Sequence, residues 1–245
     1  MAKFKAKMRH LELDWPDRIW AAAKARNHGT GASWLLPVAA LAVTGARPAS
    51  LEQGIRFAAK RDERGRICVE ATVPGAKLLT HEGGKPKRGQ KEVRIVWYID
   101  PDVDRPTHRP AEFDAIARAL MLAPNRELTI KYDAEAISTR LRELSRELWP
   151  RKRHQVSGIC YRELFSAESK AAGIEPAALA AAMAHLSTES QGRYASASKR
   201  KGRMQPARRT FSAVLAASPV RIDRSPMTRF KRANAIKAKL KSQPS

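Results

Sequence analysis

The sequence predicts a mixed α+β domain, mainly helical, with a small antiparallel sheet at one side and a basic C-terminal tail. Three observations predict it. Apolar residues recur at three- and four-residue steps, as in "AEAISTRLRELSREL" (134–148), where Ile137, Leu141, Leu144 and Leu148 share one helix face. Two stretches, "RICVEATV" (66–73) and "KEVRIVWYI" (91–99), are instead rich in β-branched and aromatic residues. The charge is also uneven. Residues 195–245 hold fourteen Lys and Arg against one acidic residue, a net of +13 out of +23 for the whole chain.

Taken in order, "DWPDRIWAAAKARN" (14–27) reads as a short helix ended by Gly29 and Gly31, inside a basic N-terminal segment, 1–31. "ASWLLPVAALAVTGA" (32–46) reads as a buried helix closed by Gly45. In "RPASLEQGIRFAAKRD", Pro48 and Ser50 suit a turn into a second short helix, with Leu51 and Ile55 on its apolar side. The two β-rich runs flank a Gly/Lys/Pro-rich loop, "PGAKLLTHEGGKPKRGQ", so two or three short antiparallel strands with a long tip are expected. Helices return at 111–122, 134–148, 157–173 (stopped by Gly173) and 175–186, where Pro176 suits a first turn. Residues 229–241 allow some helix, and the last part of the tail is expected to be disordered. The five tryptophans, Trp15, Trp20, Trp34, Trp97 and Trp149, are expected in core or helix-packing roles.

A chain of 245 residues can bury an ordinary core in one domain with a tail. A charge of +23 repels itself in the compact state, and a polyanion relieves that; nucleic acid is the commonest such partner. A membrane role is disfavoured. The longest apolar run, "WLLPVAALAV" (34–43), is too short to span a bilayer, and no signal peptide is visible at the N-terminus. Cys68 and Cys160 lack CxxC spacing and read as two partly buried free thiols in a reducing cytosol. His81, His108 and His154 show no metal-ligand spacing.

Two residues sit oddly. Arg162 lies among Ile159, Tyr161, Leu164 and Phe165, so part of its surroundings should be apolar, and a buried guanidinium needs an anion or a carboxylate. Glu163 and Glu168 are the nearby carboxylates. Tyr194, one of four tyrosines, is flanked by Gly192, Arg193, Ala195 and Ser196 at the mouth of the basic tail, not by large apolar neighbours. Chemistry on a phosphodiester needs a nucleophile, cations for the nonbridging oxygens and an acid for the leaving oxygen. A tyrosine can attack phosphorus and store the bond as a phosphotyrosine, and guanidinium forks match phosphate oxygens in pairs.

These residues bring a family into view. "VTGARPASLEQG", "YRELFSAESKAAGIEPAALAAAMAHLSTESQGRY" and the nine-residue step from His185 to Tyr194 resemble, in order and spacing, the catalytic boxes of the tyrosine recombinase (phage integrase) superfamily over about residues 32–198. The resemblance implies that family's catalytic-type domain at 32–198, between the 1–31 segment and a 199–245 tail. It implies that Arg47 and Arg162 clamp a scissile phosphate, that His185 hydrogen-bonds it or assists proton movement, and that Tyr194 is the nucleophile. A lysine from the β-hairpin would protonate the leaving 5′-oxygen; Lys77 is the first choice, with Lys85 and Lys87 in reserve.

The implied function is site-specific DNA recombination, typical of mobile genetic elements, through a 3′-phosphotyrosyl intermediate. No metal or nucleotide cofactor is expected, because arginines meet the phosphate charge. The implied partners are double-stranded DNA and further copies of the chain on paired sites. The family usually carries an N-terminal helical domain that closes over the far side of the DNA. Only about thirty residues precede the catalytic-type region, so another protein supplying that part, or the basic tail acting by charge, is expected. The implied location is the bacterial cytoplasm, on the nucleoid.

The departures from the pattern are specific. Ile159 stands where the family usually has histidine three positions before the second arginine, and Glu163 where histidine often follows it. Ser50 replaces a common acidic residue that orients the first arginine, and "LGH" becomes "MAH" through Met183 and Ala184. Acid–base help is typically worth about 10²–10⁴ in rate, so a slow or inactive enzyme is expected. Two other readings stand beside it: a decayed integrase-like domain that binds DNA without chemistry, and a basic RNA- or ribosome-associated protein. Because Tyr194 follows a Ser/Gly segment, it is expected to be free to swing away from the other groups.

Overall fold

A computed structural model describes residues 11–26, 34–76, 79–80, 86–99, 110–194 and 211–222. Among these residues the fold is mixed α+β, with seven α-helices and a five-stranded antiparallel sheet. In chain order the elements are α1 (Trp15–Arg26), α2 (Leu35–Thr44), α3 (Pro48–Gln53), β1 (Ile55–Arg61), β2 (Ile67–Pro74), β3 (Leu79–Thr80), β4 (Pro86–Arg88) and β5 (Glu92–Tyr98). Then follow α4 (Ala111–Leu122), β6 (Glu127–Ile130), α5 (Ala134–Leu148), α6 (Gly158–Ala171), α7 (Pro176–Ala182) and β7 (Ala213–Ala216). No described helix is long and apolar enough to cross a membrane.

The centre of the core is α2. Every residue from Pro37 to Thr44 is buried, so this helix is covered on all sides, as its uniformly apolar sequence requires. It packs against α4, α6 and α1. Amphipathic α5 presents Ile137, Leu141 and Leu144 inward, each worth about 2 kcal/mol by area removed from water. Its first turn is capped by Asp133, which accepts a hydrogen bond from the Ala136 N–H at 2.6 Å. All five tryptophans are buried, and Trp15 meets Tyr161 edge-on at 5.0 Å, which fastens α1 to α6.

The sheet order is β6-β1-β2-β5-β7, with every neighbouring pair antiparallel. A separate two-stranded ribbon, β3–β4, lies in the loop between β2 and β5. Three elements depart from the sequence expectation. Ile55 does not continue the helix begun at Pro48. Gly54, at φ 93°, ends α3, and Ile55 opens β1, which pairs on both sides. Residues 127–130 form a strand where none was expected. Residues 211–222, read as tail, contribute β7 to the edge of the sheet against β5. Residues 229–241 lie outside the described residues.

Candidate active site

Five pieces of chain converge at one end of α6. Gly45 comes first. Its φ of 61° is a left-handed stop for α2, and a Cβ there would stand 2.6 Å from the Phe165 ring, so both conformation and space demand glycine. That stop turns the Gly45 carbonyl toward α6, where Arg162 Nη1 donates to it at 2.8 Å. Arg47 follows at the N-cap of α3 and is half-buried. The start of α6 is held close to α3, since a Cβ on Gly158 would meet the Pro48 ring at 2.5 Å.

The next piece is the end of α7. The Ala184 N–H donates to the Ala181 carbonyl at 2.7 Å and the His185 N–H to the Ala180 carbonyl at 2.8 Å. These paired bonds are a Schellman closure, with Ala184 as its left-handed residue at φ 53°. The closure aims the Met183 carbonyl and the His185 ring at Arg162. Arg162 Nη2 donates to the Met183 carbonyl in a short hydrogen bond and lies 3.0 Å from His185 Nε2.

The last piece is a 3₁₀ turn, Thr188–Arg193, which brings in Tyr194. Arg162 Nε donates to the Tyr194 phenol oxygen at 3.2 Å, and His185 Nε2 lies 3.4 Å from the same oxygen. The guanidinium sits over the phenol ring at 5.3 Å, and the His185 ring stacks on it at 5.4 Å. Tyr194 is therefore docked in this structure, held by the ring contacts and the Arg162 hydrogen bond.

The electrostatics follow from this packing. Arg162 is 2% exposed, and its four hydrogen-bond partners here are two main-chain carbonyls, a phenol and an imidazole. Burial, with repulsion from Arg47, pulls its pKa down to about 10, while the Tyr194 oxygen and Glu163 act the other way. It remains a cation at neutral pH. Burial alone would raise the Tyr194 phenol, but the charges and hydrogen bonds of Arg162 and Arg47 outweigh it, so the phenol lies below its ordinary value. Arg162 has only donors to offer, so a hydrogen bond from it to His185 Nε2 requires the tautomer with the proton on Nδ1. In that tautomer the same Nε2 lies beside the phenol oxygen.

Of the residues singled out by sequence, Arg47, Arg162, His185 and Tyr194 meet around one phenol oxygen. Lys77 and Lys85 lie outside the described residues, and only the backbone of Lys87, in β4, is described. Ile159 is half-buried one turn before Arg162. The Ser50 hydroxyl donates to the Pro74 carbonyl at 2.8 Å, which ties α3 to the end of β2. Glu163 is buried beside Arg162 and contributes charge to it.

Sequence reasoning missed the two carbonyls that hold Arg162. Gly45 gave a signal only as a helix stop, and Met183 gave none. It also missed Gln90, which is fully buried between the hairpin loop and the His185 turn. No protein-family model matches the chain, and no significant match is found among curated proteins or solved structures.

Proposed function

We propose that this protein breaks and rejoins DNA strands by transesterification, with Tyr194 as nucleophile, in the manner of a tyrosine recombinase. The observation that carries the reading is a buried guanidinium, Arg162, meeting a phenol oxygen and an imidazole nitrogen, with a second guanidinium, Arg47, acting on the same oxygen. A purely structural arginine in a core would end on a carboxylate. This one is cradled by neutral carbonyls and keeps its charge for an anion.

The chemistry balances on these groups. A DNA phosphate entering the site draws N–H donors of Arg162 and Arg47 onto its nonbridging oxygens, where charge grows in the transition state. Arg162 Nη2 then gives up His185, and the freed Nε2 accepts the phenol proton. The Tyr194 oxygen bonds to phosphorus, the bond from phosphorus to the 5′-oxygen breaks, and that oxygen leaves as a hydroxyl once it is protonated. Lys77 is the proposed donor of that proton, by resemblance alone. Attack of a 5′-hydroxyl from another strand reverses the sequence and completes strand exchange. The chain's +23 charge supplies affinity for duplex DNA, and copies on paired sites are the proposed assembly.

A second reading has its own support. Ile159 offers no proton donor beside Arg162, and the hydroxyl of Ser50 is committed to Pro74. On that reading the domain binds DNA without cutting it. A duplex with a nick just past the scissile position separates the two, because the leaving fragment diffuses away and traps the intermediate. The expected result is a protein–DNA adduct that survives denaturation with the native chain and disappears in Tyr194→Phe. No adduct with the native chain, or an adduct that persists in the variant, removes Tyr194 as nucleophile.

A further inference from the structure

The side chain of Gln90 lies at the junction of three segments of the chain. Its backbone N–H donates to the Ala184 carbonyl at 3.1 Å, and its side-chain Nε2 reaches the His185 carbonyl at 3.3 Å. The same Nε2 donates to the Ser218 carbonyl at 2.8 Å, and Oε1 accepts from the Ser218 N–H at 2.8 Å. The Gln90 carbonyl presses on Gly75 so closely that a Cβ there would stand 1.9 Å away. Gln90 is fully buried, with both ends of its amide satisfied.

Each of the three segments matters to the site. Residues 183–185 give Arg162 its carbonyl and His185 its direction. Gly75 and Gln90 meet at the two ends of the stretch whose sequence contains Lys77, Lys85 and Lys87. Ser218 follows β7, the strand that returns to the sheet after Tyr194. A second tie runs parallel to the first. The Arg221 N–H donates to the Leu186 carbonyl at 2.9 Å and the Thr188 N–H to the Arg221 carbonyl at 3.1 Å. The stretch from His185 to the 3₁₀ turn is therefore braced from outside by residues 218–221.

We propose that Gln90 is a positioning residue. It sets the His185 turn in register with the hairpin loop, and makes both depend on the docked C-terminal segment at Ser218. The inference rests on the transesterase reading for its catalytic consequence, but its geometric part stands apart from that reading. An amide suits the task because one side chain must both donate to two carbonyls and accept from one N–H. Reacting groups displaced by about 1 Å lose on the order of 10²-fold in rate, so a side chain that sets the direction of this turn is a point of control.

The test uses the full chain with Gln90→Met, which keeps the volume and removes every side-chain hydrogen bond. Two readouts are taken. The first needs no DNA: the ionisation of Tyr194, followed by phenolate absorbance after subtraction of the Tyr194→Phe curve. The second is the rate of adduct formation on the nicked duplex. In Gln90→Met the phenol is expected to move back up toward its ordinary value, and the adduct to form about 10²-fold more slowly, with duplex affinity at fixed salt within about threefold of native. Ser218→Pro removes one N–H at the half-buried far side of the clasp. It is expected to show the same pattern more weakly, and it carries the test if Gln90→Met does not fold. A residue that merely stabilised the fold would lower the melting temperature and leave the phenol where it was. A native-like phenol and adduct rate in a folded variant overturn the proposal. If the native chain forms no adduct, the transesterase reading falls, while the phenol readout still decides the role of Gln90.

Discussion

Helices α2 and α7 both stop on a left-handed residue, Gly45 at φ 61° and Ala184 at φ 53°, and both stops turn a carbonyl onto Arg162. They differ in what enforces the residue. At Gly45 the Phe165 ring leaves no room for a Cβ, so the close approach of α2 to α6 and the turn are one requirement. At Ala184 a methyl is accommodated and buried, and only the backbone conformation objects. The buried cation is thus hydrogen-bonded by chain geometry, with two main-chain carbonyls as acceptors. Its two neutral acceptors are fixed by helix ends, one built without tolerance and one built with strain.

The largest effect is expected at the glycine. Gly45→Ala combines a left-handed penalty with an overpacked contact against Phe165, together about 3 kcal/mol. For a chain of this size that is a fall in melting temperature of roughly 10 °C. Thermal unfolding followed by circular dichroism measures it. A variant that melts within about 2 °C of native would mean that Phe165 moves aside easily, and the contrast between the two stops would vanish.

Much of this was legible in the sequence, but unevenly. The helical spacing of α5, the stop at Gly45 and the oddness of Arg162 all show in residue types, because each is a side-chain property. The strands β1, β6 and β7 do not. "IRFAAKR", "ELTI" and "AVLA" are short or alanine-rich, and each is a strand because a neighbour offers hydrogen bonds: β2 and β6 to the first, β1 to the second, β5 to the third. Leu51 and Ile55 have helical spacing, yet Gly54 between them admits a conformation that ends the helix. The site divides the same way. Arg47, Arg162, His185 and Tyr194 could be named from the chain. The acceptors of Arg162 could not, since a carbonyl belongs to every residue and its direction is set by folding. Gln90 was silent for a related reason: an uncharged amide in a Gly/Lys-rich loop shows its worth only through the segments it joins.

The next effect is read as a titration. The two stops fix Arg162, and Arg162 together with Arg47 holds the Tyr194 phenol below its ordinary value of about 10. The folded chain therefore gives up this proton more readily than the unfolded chain. Across the window between the lowered value and about pH 10, stability rises with pH from this group. The contribution is complete above that window and is lost as the pH falls through the lowered value. Phenolate absorbance, native minus Tyr194→Phe, should show ionisation beginning below pH 10. In Arg47→Gln, a change at a half-buried position, the step should move upward, because one of the two cations that lower it is gone. A step that does not move would mean that Arg47 acts only on Arg162, and the second guanidinium would leave the picture of the clamp.

The smallest effect is expected at Ala184, and its sign is what matters. Glycine there would relieve a left-handed strain of about 1–2 kcal/mol. Against this stand the added freedom of glycine in the unfolded chain, about 0.4–1 kcal/mol, and the loss of one buried methyl, about 0.8 kcal/mol. The terms nearly cancel, so Ala184→Gly should change stability by less than about 1 kcal/mol, where Gly45→Ala costs several times that. The two substitutions exchange the same pair of residues in opposite directions at the same backbone conformation, so the sum of their two shifts in melting temperature isolates the Phe165 contact from the strain. Equal and opposite shifts would mean that backbone conformation alone governs both stops. A large loss in Ala184→Gly would mean that the methyl, more than the turn, holds the Met183 carbonyl on Arg162; the Tyr194 titration in that variant would then move up together with the loss.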